Sequence, residues 1–343
     1  MKQEKLPGAL RRPNEYSSIG FIWLSAPIVI LSISLLTSYA AEKTFDDAQD
    51  PRQLIQAMSE SLRSLSYEGT FVTVSGSTVD TLKIIQINNG VAFNQQLVSL
   101  NGESREVFRN NELVTCIWPN SQSVITMKAR ERKSETGYDF KLNNNYEYKL
   151  LSDDRVAGRQ TFVVEVTAND RERYSYRVWI DKETKLLLKS MSLEAGGLPV
   201  EQVMFTDIRF DHDITIDNVT DKLERLEYQA QNYVEPASVS YLTEKKVRFD
   251  LLPKGYRKIS EMNHHMPTIA EPVRHIFLSD GIASISIYVQ FGYKASEIIP
   301  VGYAKLGSIT AYERRTDTDL ITVMGDVPAQ TVRAVAYSVN IEN

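Results

Sequence analysis

The stretch that decides the fold is RYSYRVWIDKETKLLLK, Arg173 to Lys189. Tyr174, Tyr176, Val178 and Ile180 alternate with Arg173, Ser175, Arg177 and Trp179. A period of two puts the first set on one sheet face and the second set on the other. Asp181-Lys182-Glu183-Thr184 supplies polar turn residues, and Asp181 can bond its own backbone two residues on. Leu186, Leu187 and Leu188 then restart an apolar run. The stretch therefore predicts a β-hairpin with one apolar face, which must be covered.

Working outward, short alternating runs surround the hairpin. Val79–Ile87, Val91–Val98, Glu106–Arg109, Leu113–Trp118 and Val124–Met127 precede it, followed by Tyr146–Leu151 and Phe162–Thr167; Val200–Phe210 comes after it. Asn89-Gly90 and Asn101-Gly102 are turn pairs between such runs. One amphipathic helix comes first. Asp50 is its N-cap, Pro51 its first residue, and Leu54, Met58, Leu62 and Leu65 recur at helical steps. One helix against about ten antiparallel strands predicts an α+β domain with a large curved sheet.

The 343 residues suit two domains. Residues 41–215 form the first and 216–246 a polar connector. A smaller domain spans 247–343, with strands at Arg274–Leu278, Ala283–Phe291, Ser308–Arg314 and Asp319–Met324. Ser279-Asp280-Gly281 makes a tight turn. A closing helix over Pro328–Val339 puts Val332, Val335 and Ala336 on one face.

The N-terminus reads as an export signal. Four basic residues precede a charge-free run from Tyr16 to Ala41, and Ser38-Tyr39-Ala40 suits a signal peptidase. Cleavage is expected after Ala40, leaving the rest outside the cytoplasm; the competing reading is a retained anchor. Beyond residue 40 the chain carries 35 basic and 42 acidic residues, net -7. An acidic body speaks against nonspecific nucleic-acid binding. The single cysteine, Cys116, excludes an internal disulfide and reads as a small buried hydrophobe.

Catalytic patterns are missing. There is no Gly-x-Ser-x-Gly elbow, Ser-x-x-Lys pair, phosphate-binding Gly-Lys-Ser/Thr loop or His-Glu-x-x-His helix. His264, His265 and His275 could suggest a metal site. Adjacent histidines on a strand point to opposite faces, so a polar loop before Pro267 is the simpler reading, and no metal or cofactor is expected. Asp211-His212-Asp213 lacks a nucleophile and reads as an exposed strand end. The chain is read as a binding protein, not an enzyme.

Three stretches together resemble the sigma-E factor regulatory protein family, RseB/MucB. They are RYSYRVWIDKETKLLLK with Glu201-Gln202; Leu100-Asn101-Gly102 with Arg105-Glu106-Val107; and Leu252-Pro253-Lys254-Gly255-Tyr256, Ser279-Asp280-Gly281 and Gly325-Asp326-Val327-Pro328-Ala329-Gln330-Thr331. The resemblance covers essentially the whole exported chain. It implies a half-open antiparallel β-barrel with helices, like the lipoprotein carriers LolA and LolB, and a smaller C-terminal antiparallel α+β domain. It implies a periplasmic partner of a transmembrane anti-sigma factor, one that shields the periplasmic segment from regulated proteolysis until misplaced lipid or lipopolysaccharide releases it. The interval Lys128–Gly137 departs from the family by being shorter and more charged. Self-association is left open.

A half barrel offers an apolar groove. Phe71, Phe162, Tyr174 and Tyr176 are the expected lipid-binding residues, with ordinary core packing as the alternative for each. Trp179, on the opposite face, is read as an exposed anchor for a partner, with Arg177 beside it. A lipid carrier is the alternative function, although a carrier needs only the half barrel. An envelope hydrolase ranks below it for want of any nucleophile–base pattern.

Overall fold

The computed structural model describes residues 50–128, 142–210, 213–216, 245–266, 269–293 and 302–342. The export signal, the charged interval after Lys128, His212 and most of the connector lie outside the described residues.

Helix α1 (Pro51–Ser64) starts where the sequence places it. Asp50 caps it, its carboxylate accepting from the Arg52 amide at 2.9 Å. Leu54, Ile55, Met58 and Leu62 are buried, each contributing about 2 kcal/mol. Its last carbonyls find a sheet partner, since the Gln86 amide donates to Leu62 O and Leu65 O, both at 2.9 Å. Ser61 Oγ donates to Thr184 O at 2.7 Å and ties the helix to the turn of the opening hairpin.

Twelve strands form the large sheet. They are β1 (Tyr67–Ser75), β2 (Thr78–Asn88), β3 (Phe93–Ser99), β4 (Glu106–Asn110), β5 (Leu113–Trp118), β6 (Ser123–Lys128), β7 (Tyr146–Leu150), β8 (Asp154–Val156), β9 (Arg159–Ala168), β10 (Ser175–Asp181), β11 (Leu187–Leu193) and β12 (Pro199–Arg209). The order is β6-β5-β4-β3-β2-β1-β12-β11-β10-β9-β7, with β8 beside β9. The first and last strands therefore pair at the centre. The edges, β6 and β7, are neighbours in sequence and do not pair among the described residues, so the sheet is open on that side. At the central seam Gly69 leaves room for the Phe205 ring, which would lie 2.8 Å from any Cβ there. That ring packs against Tyr67 and Phe71, with centroids 6.2 and 5.6 Å away.

α1 covers one face of this sheet over β7, β9 and β11. Phe71, Val164, Val178, Ile180 and Leu188 belong to the core it closes. A second cluster, Phe108, Ile117 and Val124, packs with Ile216. Alternation along β4 sets Phe108 opposite Val107, so this cluster lies on the other face.

The C-terminal domain holds a six-stranded sheet, ordered β14-β15-β16-β19-β18-β17. Its strands are β14 (Arg257–Met266), β15 (Ile269–Ser279), β16 (Ser284–Phe291), β17 (Tyr303–Leu306), β18 (Ile309–Arg315) and β19 (Asp319–Gly325). Helix α2 (Ala329–Ser338) packs on β18 and β19 through Val332, Val335 and Ala336, all buried as expected. β13 (Lys246–Phe249) and β20 (Val339–Glu342) make a separate pair. Cys116 is buried and its thiol is pushed up to about 11 by that burial, although Arg105 acts against it.

The expected polar loop before Pro267 is corrected: His264 and His265 fall in β14, and their side chains lie outside the described residues. β14 escapes sequence reading because its polar groups are used across strands. Glu261 pairs with Arg274 of β15 at 2.8 Å and with Lys258 at 2.6 Å.

Candidate functional site

The hairpin of β10 and β11 carries its turn on one carboxylate. Asp181 is fully buried; it accepts from the Thr184 amide at 2.9 Å, from Thr184 Oγ1 at 2.7 Å and from Arg159 through two bonds of 2.9 Å. Burial opposes the charge, but Arg159 and Thr184 outweigh it and hold the carboxyl below the usual aspartate range. Lys185 takes a φ of +62° to close the turn.

The four expected ligand residues do not form one surface. Phe71 is 2% exposed and packs in the α1 core. Phe162 is half-buried, with the ammonium groups of Lys182 and Lys185 at 5.0 and 5.1 Å from its ring. Tyr174 and Tyr176 are buried at the other end of β10, against the C-terminal domain. The exposed-anchor reading of Trp179 is corrected. Trp179 is 5% exposed, its Nε1 donates to Asp154 at 2.8 Å, and the Lys189 ammonium sits 4.3 Å over its ring. The physical reason is β8, which folds back beside β9 and shelters the second face. Arg177 is half-buried and paired with Glu165.

What β10 does assemble is a polar junction between the domains. Arg173, just before the strand, has no exposed side-chain surface. Its guanidinium donates to Asp280 Oδ2, to Asp170 Oδ1 at 3.0 Å and to Lys254 O at 2.6 Å. The rings of Tyr256 and Tyr146 flank it at 5.1 and 5.6 Å. Burial opposes this charge too, but Asp280 and Asp170 keep the pKa above the ordinary arginine value. Tyr146 donates to Asp280 Oδ2 at 3.2 Å, and Asn143 donates to Asp280 O at 2.7 Å. Alongside, Tyr176 donates to Asp326 Oδ2 at 3.2 Å. Gln330 and Thr331, in the first turn of α2, donate to Arg171 O and Glu172 O at 2.6 and 2.9 Å. Ser308 donates to Glu201 at 2.8 Å. Burial raises the phenols of Tyr146, Tyr176 and Tyr256 well above their ordinary pKa.

In the sequence Asp280 was visible only as a turn residue, and Asp326 only within the stretch Gly325 to Thr331. Asp280 does make its turn, Oδ1 accepting from the Ile282 and Ala283 amides at 2.8 Å, whereas Asp326 Oδ1 reaches the start of β16 and accepts from the Ser284 amide at 3.0 Å. In both cases the second oxygen faces the other domain. Gly255, at φ +85°, is held against the Asn145 side-chain amide, which an added Cβ would strike. Among the described residues no cluster of three or more His, Cys, Asp or Glu could hold a metal ion.

The two domains match family models separately. Residues 50–223 match the MucB/RseB N-terminal domain and residues 242–340 the MucB/RseB C-terminal domain. The chain belongs to the MucB/RseB family. Similar family members are the Sigma factor AlgU regulatory protein MucB of Pseudomonas aeruginosa and the Sigma-E factor regulatory protein RseB of Escherichia coli. The first is 26% identical over 86% of this chain and 92% of its own length. The second is 26% identical over 83% and 89%. A crystal structure of MucB in complex with MucA(peri) superposes with a TM-score of 0.60 at 24% identity, over 86% of this chain and all of that one. MucB alone gives 0.58 at 23% identity, over 85% of this chain and 98% of that one. These MucB structures share the fold of this chain, a large antiparallel sheet followed by a smaller sheet domain.

Proposed function

We propose that this protein is a periplasmic negative regulator of an envelope-stress sigma factor. It binds the periplasmic part of a transmembrane anti-sigma factor and shields it from regulated proteolysis. The observation that carries this reading is the match of both domains, in order, to a family whose named members regulate sigma factors. The crystal structure of MucB with MucA(peri) supports the kind of partner. The export signal at residues 1–40 supports the compartment. No chemistry is required, because an extended segment held against the protein is out of a protease's reach.

Release is by mislocalised lipid or lipopolysaccharide. The helix-covered face of the large sheet is the apolar site, with Phe71 and Phe162 within it and Tyr174 and Tyr176 at the end closed by the second domain. Each acyl CH₂ transferred there contributes about 0.8 kcal/mol. Phe71 belongs to a filled core, so an acyl chain enters only as α1 or the second domain yields. Arg177, still part-exposed, is the partner contact on β10; Trp179 supports that face from beneath.

The test is a binding titration with the periplasmic segment of a single-pass anti-sigma factor from the same envelope, read by cleavage of that segment. Bound protein is expected to block cleavage, and added lipopolysaccharide to restore it. Lipid and partner should weaken each other by the same factor. Failure to bind the segment would remove the regulatory reading; equal partner affinity with and without saturating lipid would remove the sensor role alone.

A further inference from the structure

The junction holds two buried aspartates and one guanidinium. Asp280 has no exposed side-chain surface and Asp326 is 6% exposed. Arg173 is committed to Asp280, Asp170 and Lys254 O. Asp326 therefore faces the first domain with only a phenol, Tyr176, as its partner there. A buried carboxylate with no cation of its own favours its neutral form. The junction is also incompletely satisfied, since the buried Tyr256 hydroxyl makes no hydrogen bond. Polar junctions of this kind add little net stability over apolar packing, so a change of one charge weighs on whether they stay closed.

We propose that the junction is a proton-responsive latch: uptake of one proton by Asp326 tightens docking of the two domains, and loss of that proton loosens it. The groups facing Asp326 are Tyr176 from β10, Tyr174 just before it, Ser284 of β16, Asp280 in the preceding turn and Tyr256 ahead of β14. None is a cation. Burial pushes the Asp326 carboxyl up to about 7, against the pull of the Ser284 amide and Tyr176, and Asp280 adds to the rise.

The direction follows from linkage. Undocked, Asp326 meets water and titrates as an ordinary aspartate near ~3.9. A carboxyl whose docked pKa is raised favours docking fully below the undocked value. That contribution declines as pH rises and is gone above the docked value. Between pH 7 and pH 5 the docking equilibrium gains on the order of 50-fold from this one group. The latch does not depend on the identity of any partner. Because β10 runs from the junction into the α1-covered face, opening it also uncovers Tyr174 and Tyr176.

The test is amide hydrogen exchange on the full chain without ligands, from pH 5 to pH 8.5, corrected for the intrinsic rate. The readouts are residues 170–176 and 280–286, with β2 and β3 as an internal control for global stability. Protection at the junction should rise by roughly 50-fold from pH 7 to pH 5 relative to the control, and level off above pH 7. Asp326→Asn, a neutral isostere, should remove that slope. Tyr176→Phe removes a donor that favours the carboxylate, so its levelling point should move to higher pH. A flat wild-type profile, or a wild-type slope kept in Asp326→Asn, overturns the latch. Should Asp326→Asn fail to fold, an unmoved levelling point in Tyr176→Phe overturns it equally.

Discussion

Arg173→Ala tests whether the two domains are one cooperative unit. Arg173 donates three charge-assisted bonds, to Asp280, Asp170 and Lys254 O, with no side-chain surface exposed. Bonds of this kind contribute about 1.5–3 kcal/mol each. Truncation also strands Asp280 as an unpaired buried charge, so the expected loss is about 3–5 kcal/mol. Each domain keeps its own apolar core, one under α1 and one under α2. The loss should therefore fall on docking, splitting one calorimetric transition into two. Asp280→Asn is the matching partner change, because Asn can still accept from the Ile282 and Ala283 amides and keep the turn. The double variant Arg173→Ala/Asp280→Asn should cost no more than the worse single, a coupling of about 2–4 kcal/mol in the cycle. Single losses below ~1 kcal/mol that simply add, with one transition retained, would refute the junction as the element joining the domains.

Asp181→Asn should destabilise the first domain by about 2–3 kcal/mol, because it breaks the bidentate Arg159 contact. Since the Asp181 carboxyl is held below its ordinary pKa, its contribution is present above that value and lost as pH falls below about 4; denaturant midpoints from pH 6 to pH 2.5 should fall in wild type and lose this component in the variant. Gly255→Ala combines a left-handed φ with a Cβ driven against Asn145, and should cost about 1–3 kcal/mol, read as earlier release of the second domain on heating. Gln86→Leu unties both carbonyls at the end of α1, and a loss of about 1–3 kcal/mol in denaturant unfolding is expected.

The repeating pattern of the chain made the fold legible where period and turn chemistry agreed. Asp50-Pro51, the two Asn-Gly pairs and the alternation from Tyr174 to Ile180 each mark an element now seen at that place. Polar strands were not legible. β14 keeps its charges for cross-strand pairs and β8 is three residues long, so neither shows a run of apolar residues. The error at Trp179 has the same root. Alternation correctly put it on the face away from Val178, but burial of that face depends on β8, which periodicity cannot detect. For the candidate site, the sequence showed Asp280 as a turn former and Asp326 only as part of the stretch Gly325 to Thr331. Their second oxygens act between domains, and that role is set by tertiary placement alone.

The stretches that carry most of the resemblance meet at one place. Arg173 and Tyr176, Lys254 to Tyr256, Asp280, Asp326, Gln330 and Thr331 come from separated segments, and all touch the junction. Each is tied to a turn or a buried polar bond, the contacts least tolerant of exchange, since a lost partner leaves a buried group unsatisfied. The apolar face under α1 is different. Leu, Ile, Val, Phe and Met exchange there at little cost if volume is kept. At 26% identity to its relatives the chain can thus keep polar contacts of this kind while its apolar face is repacked. Binding on that face has to be measured on this chain, with the junction intact, because opening the junction also uncovers Tyr174 and Tyr176.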